Sequence, residues 1–186
     1  MKKLGLCLLL MLTLTGCSQE TEGLRRAMEL RTKLLRSAGV CYDADITADY
    51  RDRIRQFSMS CRADEKGTVT FTVTEPETLC GITGRIDGQG GALTFDDVAL
   101  HFELLTEDGL TPVSGPWILM KTLRSGYLTS ACREGDGLRL TVDDSYEDDA
   151  LMLDILLDGQ DLPRQAEIFC DGRRVLTVQV RNVVIS

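Results

Sequence analysis

The sequence has one histidine in 186 residues, and it contains neither a C-x-x-C pair nor a Cys/His spacing suited to a metal. These absences take zinc-type sites out of the reading, and no metal or cofactor is expected. No G-x-S-x-G elbow or other triad context singles out a nucleophile, so no catalytic residue is assigned. The lone His101 lies between Leu100 and Phe102 in an alternating stretch, which predicts an imidazole on the face opposite its apolar neighbours. Gly88, Gly90 and Gly91 are not followed by Gly-Lys-Ser/Thr, and they read as a turn rather than a phosphate cradle. Basic residues are in deficit, 21 against 29 acids for a net charge of −8, which excludes nucleic acid as a partner and gives no electrostatic pull toward an anionic bilayer. No long Pro- or Ser-rich stretch marks a linker, so a single domain is expected.

Long apolar runs are also missing. The one candidate, residues 4–14, falls short of the roughly 20 residues that a membrane span requires. It follows Lys2 and Lys3 and ends in Leu14-Thr15-Gly16-Cys17 ahead of polar Ser18, Gln19 and Glu20, the layout of a removable export signal. The Leu-Thr-Gly-Cys ending resembles the bacterial lipobox. That resemblance implies diacylglycerol on the thiol of Cys17 and cleavage before it, with residues 1–16 as signal and 17–20 as a lipidated tether. The alternative is an ordinary signal cut nearby with Cys17 unmodified. Either route takes the protein out of the cytoplasm, and the first leaves it anchored to the outer face of the cytoplasmic membrane, since two acyl chains hold stably. Loss of residues 1–16 removes two lysines and no acid, moving the formal charge from −8 to −10. Cys41, Cys61, Cys80, Cys132 and Cys170 then remain. Most of them are expected to be small core residues, with one or two disulfides left open.

Leu24, Ala27, Met28, Leu34, Leu35 and Ala38 fall on one helical face that Arg31 interrupts, with Thr21 as N-cap and Gly39 as the stop. The period then becomes two. Val40 to Tyr50, Phe57 to Cys61, and Val69 to Val73 alternate as strands, and Pro76 breaks the ladder. Shorter runs follow to Phe102, then a loop from Thr106 to Ser114, then a Pro-led helix from Trp117 to Arg124 closed by Gly126. Five further strands complete about ten in all. The expected fold is α+β, a curved antiparallel sheet, or half-barrel, over residues 21–186 that wraps the N-terminal helix and the short central one.

Asp143, Asp144, Glu147, Asp148 and Asp149 form an acidic loop, but Asp148 stands where an EF-hand needs glycine, so the loop reads as solvated. Trp117, Ile118, Met120 and Leu123 are the candidate contacts for a ligand or partner, as an apolar helix capping a cleft; ordinary core packing is the competing account.

The order of lipobox, amphipathic helix, hairpin strands, Pro-led helix and more hairpins resembles the outer-membrane lipoprotein carrier fold over residues 20–186. The stretches Asp45-Ile46-Thr47-Ala48-Asp49-Tyr50, Pro76-Glu77 with Gly81-Ile82, Leu93-Thr94-Phe95-Asp96, and Leu162-Pro163 with Glu167-Ile168 are similar to lipoproteins of Gram-positive spore formers, including a spore-germination group. The carrier resemblance implies acyl chains held on the concave side. The germination resemblance implies a protein partner that supports a cell-wall amidase. The leading expectation is a non-catalytic, membrane-anchored accessory or binding protein for an envelope or cell-wall component, contacting it through residues 110–126 and the concave face. A carrier of lipid or another apolar ligand ranks second, and a cell-wall glycan hydrolase, which needs a carboxylate pair in a groove, ranks third.

Overall fold

The computed structural model describes residues 16–95, 98–102, 105–106, 109–147 and 150–186. The expected export signal up to residue 15, the Cys17 side chain, and Asp96, Asp97, Asp148 and Asp149 lie outside the described residues.

Helix α1 runs Gly16–Arg36, so Thr21 sits within it rather than capping it, and residues 17–20 continue the helix. Its buried stripe is Gly23, Ala27, Leu30, Leu34 and Ser37, rotated from the expected one, and Leu24, Met28 and Leu35 face outward. One steric and one polar contact set that rotation. A side chain at Gly23 would come within 2.6 Å of the Ala131 carbonyl oxygen, so the helix backbone rests directly on a strand. Arg31 does not interrupt the packed face; it donates to the Leu123 oxygen at 3.0 Å and the Gly126 oxygen at 2.7 Å, satisfying carbonyls that the end of the central helix leaves open. Gly39 does not stop the helix either: it is the first residue of strand β1.

Strands β1 (Gly39–Asp49), β2 (Ile54–Asp64), β3 (Val69–Glu75), β4 (Thr83–Asp87), β5 (Gly90–Phe95) and β6 (Val98–Phe102) form one antiparallel meander. In place of the loop expected from Thr106 to Ser114 there is a two-stranded ribbon, β7 (Leu105–Thr106) with β8 (Gly109–Leu110), and a 3-10 turn over Pro112–Ser114. Helix α2 (Gly115–Ser125) follows, with Pro116 in its first turn. A second meander consists of β9 (Tyr127–Glu134), β10 (Gly137–Asp143), β11 (Met152–Leu157), β12 (Pro163–Cys170) and β13 (Arg173–Ile185). Its last strand pairs with β1, giving one eleven-stranded sheet in the order β6-β5-β4-β3-β2-β1-β13-β12-β11-β10-β9.

Both helices cover the same face of this sheet. The alternation buries Val40, Tyr42, Ala44, Ile46 and Ala48 on β1, Met59, Cys61 and Ala63 on β2, and Leu153, Ile155 and Leu157 on β11. Helix α2 is apolar nearly all round and correspondingly buried. The Tyr42 hydroxyl donates to the Pro116 oxygen at 3.0 Å and Arg124 donates to the Asp64 oxygen at 2.7 Å, tying both ends of the helix to the β1–β3 half.

Candidate functional site

Helix α2 does not reach the whole inner face. On the β4–β6 side the register places Gly84 opposite Leu93, Leu93 opposite Leu100, Phe95 opposite Val98, and Gly91 opposite Phe102. All of these share the inner face with Phe71 and Ile86. Phe95, Val98 and Leu100 are 51%, 61% and 64% exposed, so the inner register stays apolar where the cover has ended. Two glycines shape this surface. A Cβ at Gly84 would lie 2.3 Å from the Phe71 ring, and one at Gly91 would lie 2.1 Å from the Phe102 ring, so the far end of each aromatic ring occupies the space a glycine leaves.

This open face deepens into a cleft of about 560 Å³ between β2, β3, the 76–82 connection, β5 and the 3-10 turn at Pro112, lined by Ile54, Phe57, Val73, Leu79, Ile82, Leu93, Pro112 and Val113. Arg55, Gln56, Pro76 and Thr78 also line it, and among the described residues no carboxylate does. The size lies within the usual range for small-molecule sites, and an apolar lining with a few polar groups is their usual character. Chemically, such a surface can hold a hydrocarbon chain.

The sequence-predicted contacts lie elsewhere. Trp117, Ile118, Met120 and Leu123 are between 1% and 8% exposed and pack into the core, and Trp117 also lines a separate hollow with Leu35, Lys121 and Arg124. Their helix supplies the floor that ends beside the cleft. Of residues 110–126, Pro112 and Val113 line it. Sequence reasoning passed over the lining residues Phe57, Val73, Ile82 and Leu93 because an inward apolar residue in a strand reads the same whether a helix covers it or not.

A larger hollow, about 690 Å³, lies on the side of β1–β5 that presents Asp43, Ser60, Arg62, Thr70, Thr72 and Thr83. Its one carboxylate is engaged. Asn182 donates to Asp43 at 2.8 Å and Ser60 does so at 2.8 Å, which together hold its carboxyl below the usual range. His101 shares its cross-strand row with Ala92, on the opposite face from the apolar residues, and it is exposed. Among the described residues no group of three or more His, Cys, Asp or Glu could hold a metal ion.

None of the five described cysteines forms a disulfide with another. Contrary to the core assignment for most of them, Cys41, Cys80 and Cys132 are exposed, and Cys61 alone is buried. Burial pushes the Cys61 thiol well up, with the Asp43 carboxylate adding to it. Iodoacetamide is therefore expected to label Cys132 in the folded protein while Cys61 reacts at least about a hundredfold more slowly, since it waits for opening of the core. Peptide mass spectrometry over a time course reads both rates, and equal rates would show that the β1–β2 core is not closed.

No family model matches the chain, and no curated protein does. Solved structures do. An outer membrane lipoprotein-sorting protein domain from Vibrio parahaemolyticus aligns over 89% of this chain and 93% of its own, with a TM-score of 0.51 at 8% identity. A LolA superfamily protein from Nitrosomonas europaea aligns over 86% of this chain and 93% of its own, with a TM-score of 0.45 at 10% identity. An uncharacterized conserved protein from Thermus thermophilus aligns over 86% and 87%, with a TM-score of 0.48 at 11% identity. The protein therefore has the Lol-type half-barrel fold, an open antiparallel sheet with two helices on one face. At these identities the likeness is one of fold, and it says nothing about the spore-germination group.

Proposed function

We propose that the protein is a non-catalytic envelope lipoprotein that binds the hydrocarbon chain of an apolar or amphipathic ligand in its half-barrel. One observation carries the reading: the inner face of β2–β6 continues apolar beyond the cover of α2, and there it encloses a cleft of about 560 Å³. A protein gains by covering such a surface, roughly 25 cal/mol for each Å² removed from water, and an acyl chain supplies the matching area without polar groups to satisfy. A titration with a fluorescent fatty acid tests it. The exported protein carrying Cys17→Ala is expected to show saturable binding at one chain per molecule; fluorescence that rises linearly without saturating would contradict the site.

The lipobox-like ending before Cys17 supports anchoring by lipid, and among the described residues no helix is long and apolar enough to cross a membrane. Cells fed an alkyne-bearing palmitate are expected to label the wild-type chain and not Cys17→Ser, with the wild type in the membrane fraction. Label that persists in Cys17→Ser would place acylation elsewhere.

A second reading keeps an envelope protein as the occupant. It draws on β6, an edge strand of the main sheet, which presents Val98 and Leu100 beside an unpaired backbone edge and so offers a place for strand addition. Glycan hydrolysis has less support: among the described residues the apolar cleft has no carboxylate in its lining and the hollow over β1–β5 has Asp43 alone, while Glu65 and Asp87 line a separate hollow beside Trp117.

A further inference from the structure

We infer that the ligand of the half-barrel is an anionic amphiphile whose carboxylate or phosphate is received by Arg55 while its hydrocarbon chain lies in the apolar cleft. This rests on the apolar-ligand reading above and adds the head-group chemistry to it.

The argument begins with register. On β2 the residues opposite the buried β1 positions Tyr42, Ala44, Ile46 and Ala48 are Cys61, Met59, Phe57 and Arg55 in turn. The first three are apolar and fully or partly buried, as the inner face requires. Arg55 continues the same row at the mouth of the half-barrel, so its alternation places a guanidinium on the inner face, where it lines the cleft beside Ile54 and Phe57.

Arg55 is exposed, so its guanidinium stays charged and open to an incoming anion at the edge of an apolar row. Among the described residues, no hydrogen bond or ion pair is made by the Arg55 side chain, and the cleft lining has no acid. The acids nearby in sequence are otherwise placed. The Asp49 carboxylate accepts from the Arg51 backbone at 2.8 Å, and Asp52 lies 3.9 Å from Arg53. The register shift on β2 sets Glu75 opposite Ser58, off the Met59–Val73 row.

In a chain with a net charge of −8, an arginine at the mouth of an apolar cleft, without a side-chain partner among the described residues, is complementary to one class of ligand, a hydrocarbon chain ending in an anion. Guanidinium suits that role because its planar fork meets carboxylate or phosphate with two parallel N–H donors.

The test compares oleate, oleyl phosphate and neutral oleyl alcohol, which share a chain and differ in head group, by competition against the fluorescent fatty acid. The protein used is the exported form carrying Cys17→Ala. The anionic probes are expected to bind at least about tenfold tighter than the alcohol, the usual size of one charge-assisted hydrogen-bonded contact. Arg55→Gln is expected to erase that difference, while Arg55→Lys keeps most of it. Preference for one anion over the other would identify the source as fatty acid or phospholipid and support the inference. Equal binding of oleate and the alcohol by the wild type, or oleate binding unchanged in Arg55→Gln, would overturn the head-group assignment while the cleft stands. Failure of all three probes to compete would overturn both readings. Because Arg55 is exposed and without a described side-chain partner, its variants should melt as the wild type does, and the melts report whether folding has confounded the comparison.

Discussion

Leu93→Glu is expected to lower affinity for a fatty acid by on the order of a hundredfold while leaving the fold in place. Leu93 lines the cleft, is half-buried, and stands between Gly84 and Leu100 in the inner register. Losing its contact with an acyl chain forfeits part of the roughly 1.5–3 kcal/mol that burying a leucine-sized group is worth. A carboxylate left in the lining adds the cost of stripping it of water, and the two together reach about 2.7 kcal/mol, the equivalent of a hundredfold. The carboxylate also stands in the cleft that Arg55 shares, where it competes with an anionic head group. Since position 93 remains partly open to solvent, the cost to stability should stay near about 1 kcal/mol. Fatty-acid titration and a thermal melt on the same sample read the two effects separately. Unchanged binding with an unchanged melt would remove β5 from the site.

Met120→Asp is expected to do the reverse and unfold the domain. Met120 is 1% exposed, in a helix whose Trp117, Ile118, Leu119 and Leu123 are also buried. An unpaired carboxylate there costs several kcal/mol against a total stability of about 5–15 kcal/mol, and the cavity left by the lost thioether adds to it. The central helix, attractive from sequence as a contact surface, therefore yields a folding phenotype rather than a binding one. Phe95→Asp supplies the contrast: on the uncovered part of the same inner face, it should preserve cooperative unfolding. Circular dichroism melts decide this. A cooperative wild-type-like transition in Met120→Asp would mean that α2 is not packed as described.

The difference between these two variants also marks how far the sequence could be read. Strands were legible wherever one face is buried, because residues such as Val40, Tyr42, Ala44, Ile46 and Ala48 alternate without a break. The end of β13 was not. Asn182 adopts a positive φ of 53° beside the register shift at Cys41 and Asp43, so the alternation fails over residues 181–185 although pairing with β1 continues to Ile185. The rotation of α1 was hidden for another reason. Hydrophobicity favours Leu24, Met28 and Leu35, whereas Gly23 and Arg31 decide the contact through backbone approach and hydrogen bonds.

The cleft was legible only in part. The apolar alternation of Leu93 and Phe95 with Val98, Leu100 and Phe102 is plain in the sequence, but their exposure depends on where α2 ends relative to β4–β6. That is a property of sheet order, and the order follows from the pairing of β1 with β13 across the whole length of the chain. Arg55 looked like any surface arginine until its register with Ala48 put it on the inner face.

The measurement that bears most directly on the central claim is native mass spectrometry of the Cys17→Ala protein purified gently from the cells that make it. A retained lipid-sized adduct, lost in Leu93→Glu, is the predicted result. A bare protein mass that stays bare after incubation with fatty acid would contradict the account, and the half-barrel would then be a scaffold whose apolar face waits for a protein.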